Sequence, residues 1–117
     1  MIYEGDFKRN YVHIHDVARA FHFAIEHFDE MKNQSWNVGL NEADLSKTEL
    51  AERIKLQVPK LYIHHADVGS DPDKRNYIVS NEKIGKLGFK AGISLDEGIA
   101  QLLMFYRTLP DDPWRNS

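Results

Sequence analysis

The chain reads as a small α/β domain of about four helices packed around short strands. Three observations predict this class: two segments carry apolar residues at three-four spacing, two Ser-x-x-Glu signatures open helices, and brief β-branched or aromatic stretches between them stop at glycine, proline or polar loops. A length of 117 residues with 42% hydrophobic content supports one core and not two.

Residues 11–14, Tyr-Val-His-Ile, alternate and read as a short strand. A helix is expected to follow from Asp16, a good N-cap type. Val17, Ala20, Phe21, Ala24, Ile25 and Phe28 form its buried stripe, Arg19, His22 and Glu26 lie opposite, and Phe23 falls outside the stripe. Trp36-Asn37-Val38-Gly39 reads as a second brief strand. Leu45-Ser46-Lys47-Thr48-Glu49-Leu50 is a capping box with a hydrophobic staple, so a helix should run from there to about Val58, because Pro59 cannot continue it. Residues 61–64 read as another strand, ending in a polar, proline-containing stretch. Ser80 begins a short helix with Ile84 and Leu87 inward and Gly88 as a left-handed cap. A second capping box, Ser94-Leu95-Asp96-Glu97, opens the last long helix, whose stripe is Leu95, Ile99, Leu102, Leu103 and Tyr106. Residues 1–109 then form the domain and 110–117 an irregular tail.

The same bounds exclude several functions. Lys and Arg total 15 against 18 acids, with no basic run beyond Lys-Arg pairs, which argues against a nucleic-acid partner. No cysteine is present, so thiolate nucleophiles and Cys-based zinc sites are out, and the composition suits a reducing cytoplasm. No apolar run approaches a membrane span, and Met1 is not followed by a leader pattern. His13, His15, His64 and His65 match no metal-ligand spacing. Gly85-Lys86-Leu87-Gly88 imitates a dinucleotide turn, but its glycines follow a helix where a phosphate cradle needs a helix N-terminus after them. No Gly-x-Ser-x-Gly elbow and no Tyr-x-x-x-Lys pair occurs, so no complete active site is visible.

One phrase occurs twice, Lys8-Arg9-Asn10-Tyr11 and Lys74-Arg75-Asn76-Tyr77. A duplicated module fails on context, because the first copy leads into a strand and long helix and the second into a short glycine-ended helix. Arginine offers a planar fork that binds two phosphate oxygens at once, and a neighbouring tyrosine stacks or donates a hydrogen bond. Two such arginines suit a diphosphate, although an exposed Lys-Arg pair is more often a solvated surface feature.

Three longer segments carry a resemblance. KRNYVHIHDVARAFHFAIE resembles the R-D-Y/F-V/I-H-V-D-D-V-A-x-A segment of extended short-chain dehydrogenases/reductases, the nucleotide-sugar epimerases and dehydratases. WNVG followed by LSKTELAERI is similar to that family's Y-N-V-G…S-x-x-E-L-A-x-x-I. DPDKRNYIVSNEKIGKLGFKAGISLDEGI resembles its closing D-P-R-x-Y-x-x-S-x-x-K-x-x-x-L-G-F/W segment.

The resemblance implies the C-terminal, substrate-binding part of such an enzyme, without the main Rossmann sheet. It implies that Arg9 and Arg75 reach the diphosphate of an NDP-sugar from opposite sides, with Asn76 and Tyr77 beside the second arm. NAD(P) would belong to a cofactor half carrying the glycine-rich turn and Tyr-x-x-x-Lys, so this chain is expected to hold no cofactor and not to catalyse alone. Expected partners are an NDP-sugar bound weakly, and either a separate Rossmann half or further copies of the chain. The alternative is a stand-alone interaction or oligomerisation module derived from the same fold. The chain departs from the family pattern at Asn10, where Asp is usual, and at His15, where the pattern has the first of two aspartates.

Overall fold

A computed structural model describes residues 2–66, 69 and 75–109. Their order is β1 (Lys8–Asn10), α1 (Ile14–Glu26), α2 (Phe28–Met31), β2 (Asp44–Ser46), α3 (Lys47–Gln57), α4 (Glu82–Lys86) and α5 (Leu95–Thr108). β1 and β2 pair antiparallel with Lys8 opposite Ser46, Arg9 opposite Leu45 and Asn10 opposite Asp44. Among the described residues this is the only sheet, so the architecture is a small α/β domain with helices around one two-stranded ribbon. The proposed tail, 110–117, lies outside the described residues.

The two capping boxes and the glycine cap form where the residues place them, but α4 begins at Glu82 with Asn81 as its N-cap, two residues after the Ser80 start read from the sequence. Ser46 and Ser94 each accept from the amide three residues on, and Glu49 and Glu97 reach back to the amides of Ser46 and Ser94. α3 ends at Gln57 with Val58 as its cap, one residue before Pro59. α4 closes in a Schellman motif. The Phe89 amide bonds to the Ile84 carbonyl at 3.3 Å, the Gly88 amide to Gly85 at 3.0 Å, and Gly88 takes φ +104. The hydrophobic contact that accompanies this motif is present too, since Ile84 and Phe89 share one buried cluster with Ala20 and Met31.

Other expectations are corrected. β1 lies three residues earlier than the strand read over 11–14, because Ile14 is already helical. The N-cap is His13, not Asp16, and the Nδ1 atom of His13 accepts from the His15 amide at 3.1 Å. Residues 36–39 form no strand, and the backbone of Trp36, Asn37, Val38 and Gly39 takes no hydrogen bond among the described residues. Residues 61–64 form no strand, and the one pairing nearby is an isolated parallel bridge between Ile2 and His65.

α1 also turns differently from the expectation. Ala20 is buried, with Phe23 and Ala24 packed beside it, and the Phe23 ring meets Phe89 at 5.5 Å between centroids. Phe21, Ile25 and Phe28, read as core, are exposed. Burying the small Ala20 lets α1 approach the α4 turn closely, and Phe23, next to that face, fills the remaining space.

Asp16 explains why the helix sits this way. It is fully buried (0% exposed), and its Oδ2 accepts from the amides of Gly92 at 3.0 Å and Ile93 at 2.9 Å, while Oδ1 accepts from Arg19 at 2.5 Å. Burial pushes its carboxyl upward, but the two amides and the Arg19 charge outweigh that and hold it below the ordinary aspartate range. The tie fixes α1 to the segment that enters α5.

Candidate functional site

The candidate site grows from β1. Residues 75–77 lie along its open side: the Tyr77 amide donates to the Lys8 carbonyl at 2.9 Å, and the Lys8 amide donates to Asn76 Oδ1 at 2.8 Å. Arg9 Nη1 donates to the Lys8 carbonyl at 2.8 Å and also to the Arg75 carbonyl. The two KRNY phrases, far apart in sequence, are therefore bonded to one another.

The side chains converge on one ring. Arg9 Cζ stands 4.9 Å and Arg75 Cζ 5.1 Å from the centroid of Tyr77, which is 38% exposed. An aromatic face attracts a cation through its quadrupole, so Tyr77 can hold two guanidinium groups at one place on the surface. A guanidinium offers paired donors that suit an oxyanion. Arg9, Arg75, Asn76 and Tyr77 are thus brought together. Lys8, which opens the same phrase, carries no sequence signal of its own for this role. It contributes both backbone groups that dock the second arm.

Asn10 supports the site from below. Its Nδ2 donates to the Leu40 carbonyl and to Asp44 Oδ1, each at 2.8 Å, and its Oδ1 accepts from the Leu40 amide at 3.0 Å. A carboxylate cannot donate, so an aspartate here would set like charge against Asp44 and orphan a carbonyl. Asn10 and Asp44 are therefore matched to each other. A Cβ on Gly39 would run into Asn10 Oδ1, which keeps that glycine small. The cap on α3 adds a nearby charge: the Ser46 amide, with a smaller effect from Lys8, holds the Glu49 carboxyl below its ordinary range against a small desolvation effect.

The arginines do not line the larger clefts. One of about 670 Å³ lies between residues 39–42 and 80–91. Another of about 520 Å³, mostly apolar, runs between residues 10–14, α3 and α5. The site is an open surface whose shape comes from backbone docking, not an enclosed pocket.

Among the described residues, no three His, Asp or Glu side chains come together as a metal site. His13 and His15 instead pack edge to face at 4.9 Å. No described helix is long and apolar enough to cross a membrane.

The family model of the NAD dependent epimerase/dehydratase family matches residues 1–39. The match takes in Arg9, all of β1 and α1, and the segment up to Gly39. This third of the chain is similar to that family.

Proposed function

We propose that this chain is the C-terminal, nucleotide-sugar-binding portion of an extended short-chain dehydrogenase/reductase of the epimerase/dehydratase type, acting in the cytoplasm. The observation that carries the reading is the meeting of Arg9 and Arg75 on the Tyr77 ring, with Asn76 docking the second arm onto β1. The family match over residues 1–39 supports it, because that match contains the first arm.

The chain's own residues bind and orient. Arg9 and Arg75 take the diphosphate oxygens, Tyr77 keeps the two cations in place, and Asn76 holds the arm through the Lys8 amide. The glycine-rich turn and the Tyr-x-x-x-Lys pair that serve NAD(P) in such enzymes have no counterpart in this sequence. Cofactor binding and proton transfer are assigned to the family's cofactor half, and these 117 residues by themselves do not turn over substrate.

Charge-assisted hydrogen bonds contribute roughly 1.5 to 3 kcal/mol each, against the cost of association, on a surface that encloses little of the ligand. Affinity of the chain alone is therefore about millimolar. Ligand-observed NMR with UDP, dTDP, GDP and CDP, free and sugar-linked, tests the reading. Saturable binding that disappears in Arg9→Ala/Arg75→Ala supports it, and identical behaviour of wild type and variant counts against it.

A second reading is favoured by the apolar side chains left open on α1: an interaction module that keeps the fold and meets another chain. A complex that survives both arginine substitutions and binds no nucleotide marks that alternative.

A further inference from the structure

α1 is apolar on two faces. One packs on Ile84 and Phe89 through Ala20 and Phe23. The other carries Ile14, Phe21, Ile25 and, just beyond a break at His27, Phe28, exposed by 70%, 71%, 74% and 63%. A helix apolar on both sides belongs between two layers, and the described residues supply only one.

Ile14, Phe21 and Phe28 recur every seven residues with Ile25 one turn after Phe21, so the stripe is centred on Phe21. Beside it a small apolar trough is lined by Val17, Phe21, Ala24, Trp36 and Val38, and the unbonded backbone of residues 36–39 borders it.

We propose that a second copy of this chain covers the stripe, with the two α1 helices antiparallel about a two-fold axis at Phe21. Phe21 then meets Phe21 of the other copy, and Ile14 meets Phe28. The charges choose this direction. Glu26 and Glu30 lie at the end of the stripe beside an Asp29–Lys32 pair, whereas at its start the one acid, Asp16, is paired with Arg19. Parallel copies would set the acidic ends side by side. Antiparallel copies separate them and place each beside the other helix's N-terminus, where the peptide dipoles favour negative charge.

The area is of the right order. Each aromatic side chain buries on the order of 150–250 Å², so Phe21 and Phe28, about two-thirds exposed, offer roughly 200–300 Å² per copy, and Ile14, Ile25 and the trough walls extend the patch toward the ~1,000 Å² total at which specific interfaces begin.

Sedimentation velocity and light scattering across a concentration series test the oligomeric state. The expected result is a dimer, half-formed on the order of 10–100 μM. Phe21→Asp should weaken it at least ~30-fold, while Phe105→Asp, at another exposed aromatic on α5 (55% exposed), leaves it unchanged.

Because the chain lacks cysteine, cross-linking reads the direction. Phe21→Cys should cross-link to itself. Ile14→Cys should cross-link when mixed with Phe28→Cys and not alone. Circular dichroism of each variant separates lost contact from lost fold. A monomer throughout, a dimer indifferent to Phe21→Asp, self-cross-linking of Ile14→Cys, or assembly only with a different chain would each overturn the proposal. None of these outcomes depends on whether Arg9 and Arg75 bind a nucleotide.

Discussion

The carboxylate of Asp16 and the guanidinium groups on Tyr77 use charge in opposite ways. Asp16 is wholly buried, and its two oxygens are engaged by the Gly92 and Ile93 amides and by Arg19, so its charge serves to fix α1 against the entry to α5. The Arg9 guanidinium is held by the Lys8 and Arg75 carbonyls and, like that of Arg75, stands over the Tyr77 ring. A compensated buried charge marks architecture. Two guanidinium groups gathered on one aromatic ring at a docked arm are the feature on which the proposed ligand site rests.

The comparison is broken most severely at Asp16. Asp16→Ala leaves two inward-facing amides without an acceptor, and urea denaturation should show a loss of about 3 kcal/mol or more. Asp16→Asn keeps one acceptor and should lose less. The pH dependence has a definite sign. The folded value lies below the ordinary one, so the carboxylate's contribution is complete above the unfolded aspartate range and is lost as pH falls through the depressed folded value. Wild-type stability should decline in acid more steeply than that of Asp16→Asn. Equal acid limbs would contradict the assignment.

Asn10→Asp comes next. It places a carboxylate against Asp44 and orphans the Leu40 carbonyl, for an expected loss of about 1 to 2 kcal/mol. Asp44→Asn in the same chain should restore part of that loss, and a double-mutant cycle measures the coupling. Additive losses would mean that Asn10 and Asp44 are not a matched pair.

Gly88→Ala should destabilise by about 1 kcal/mol through its positive φ alone, since nothing stands within 4 Å of the added Cβ. Smallest is Tyr77. Tyr77→Phe keeps the cation-π face and should bind nucleoside diphosphates as wild type does, whereas Tyr77→Leu should weaken binding about three- to fivefold. NMR titration distinguishes the two, and equal loss in both would assign the effect to the hydroxyl.

What the sequence revealed depended on how local the physics was. Ser46, Ser94 and Gly88 could be read directly, because a capping box or Schellman turn is complete within a few residues. The arginine pair was legible because the same phrase occurs twice, although only the fold shows Asn76 and Tyr77 bonded to Lys8. Residues 36–39 and 61–64 have strand composition, but a strand exists only against a partner, and the described residues supply none for the former. The α1 stripe was misjudged because spacing shows which residues share a face, not which of two apolar faces meets the core. Asp16 resembled a cap because the two amides that bury it lie more than seventy residues away.

The central claim is that Arg9 and Arg75 act as one clamp on a diphosphate. The most direct measurement is a binding cycle of wild type, Arg9→Ala, Arg75→Ala and the double variant, titrated with a nucleoside diphosphate and the matching monophosphate. A single clamp predicts that either substitution removes most of the diphosphate preference and that the second adds little, a coupling of about 1 kcal/mol or more. Independent, additive losses of the same size for both ligands would contradict it.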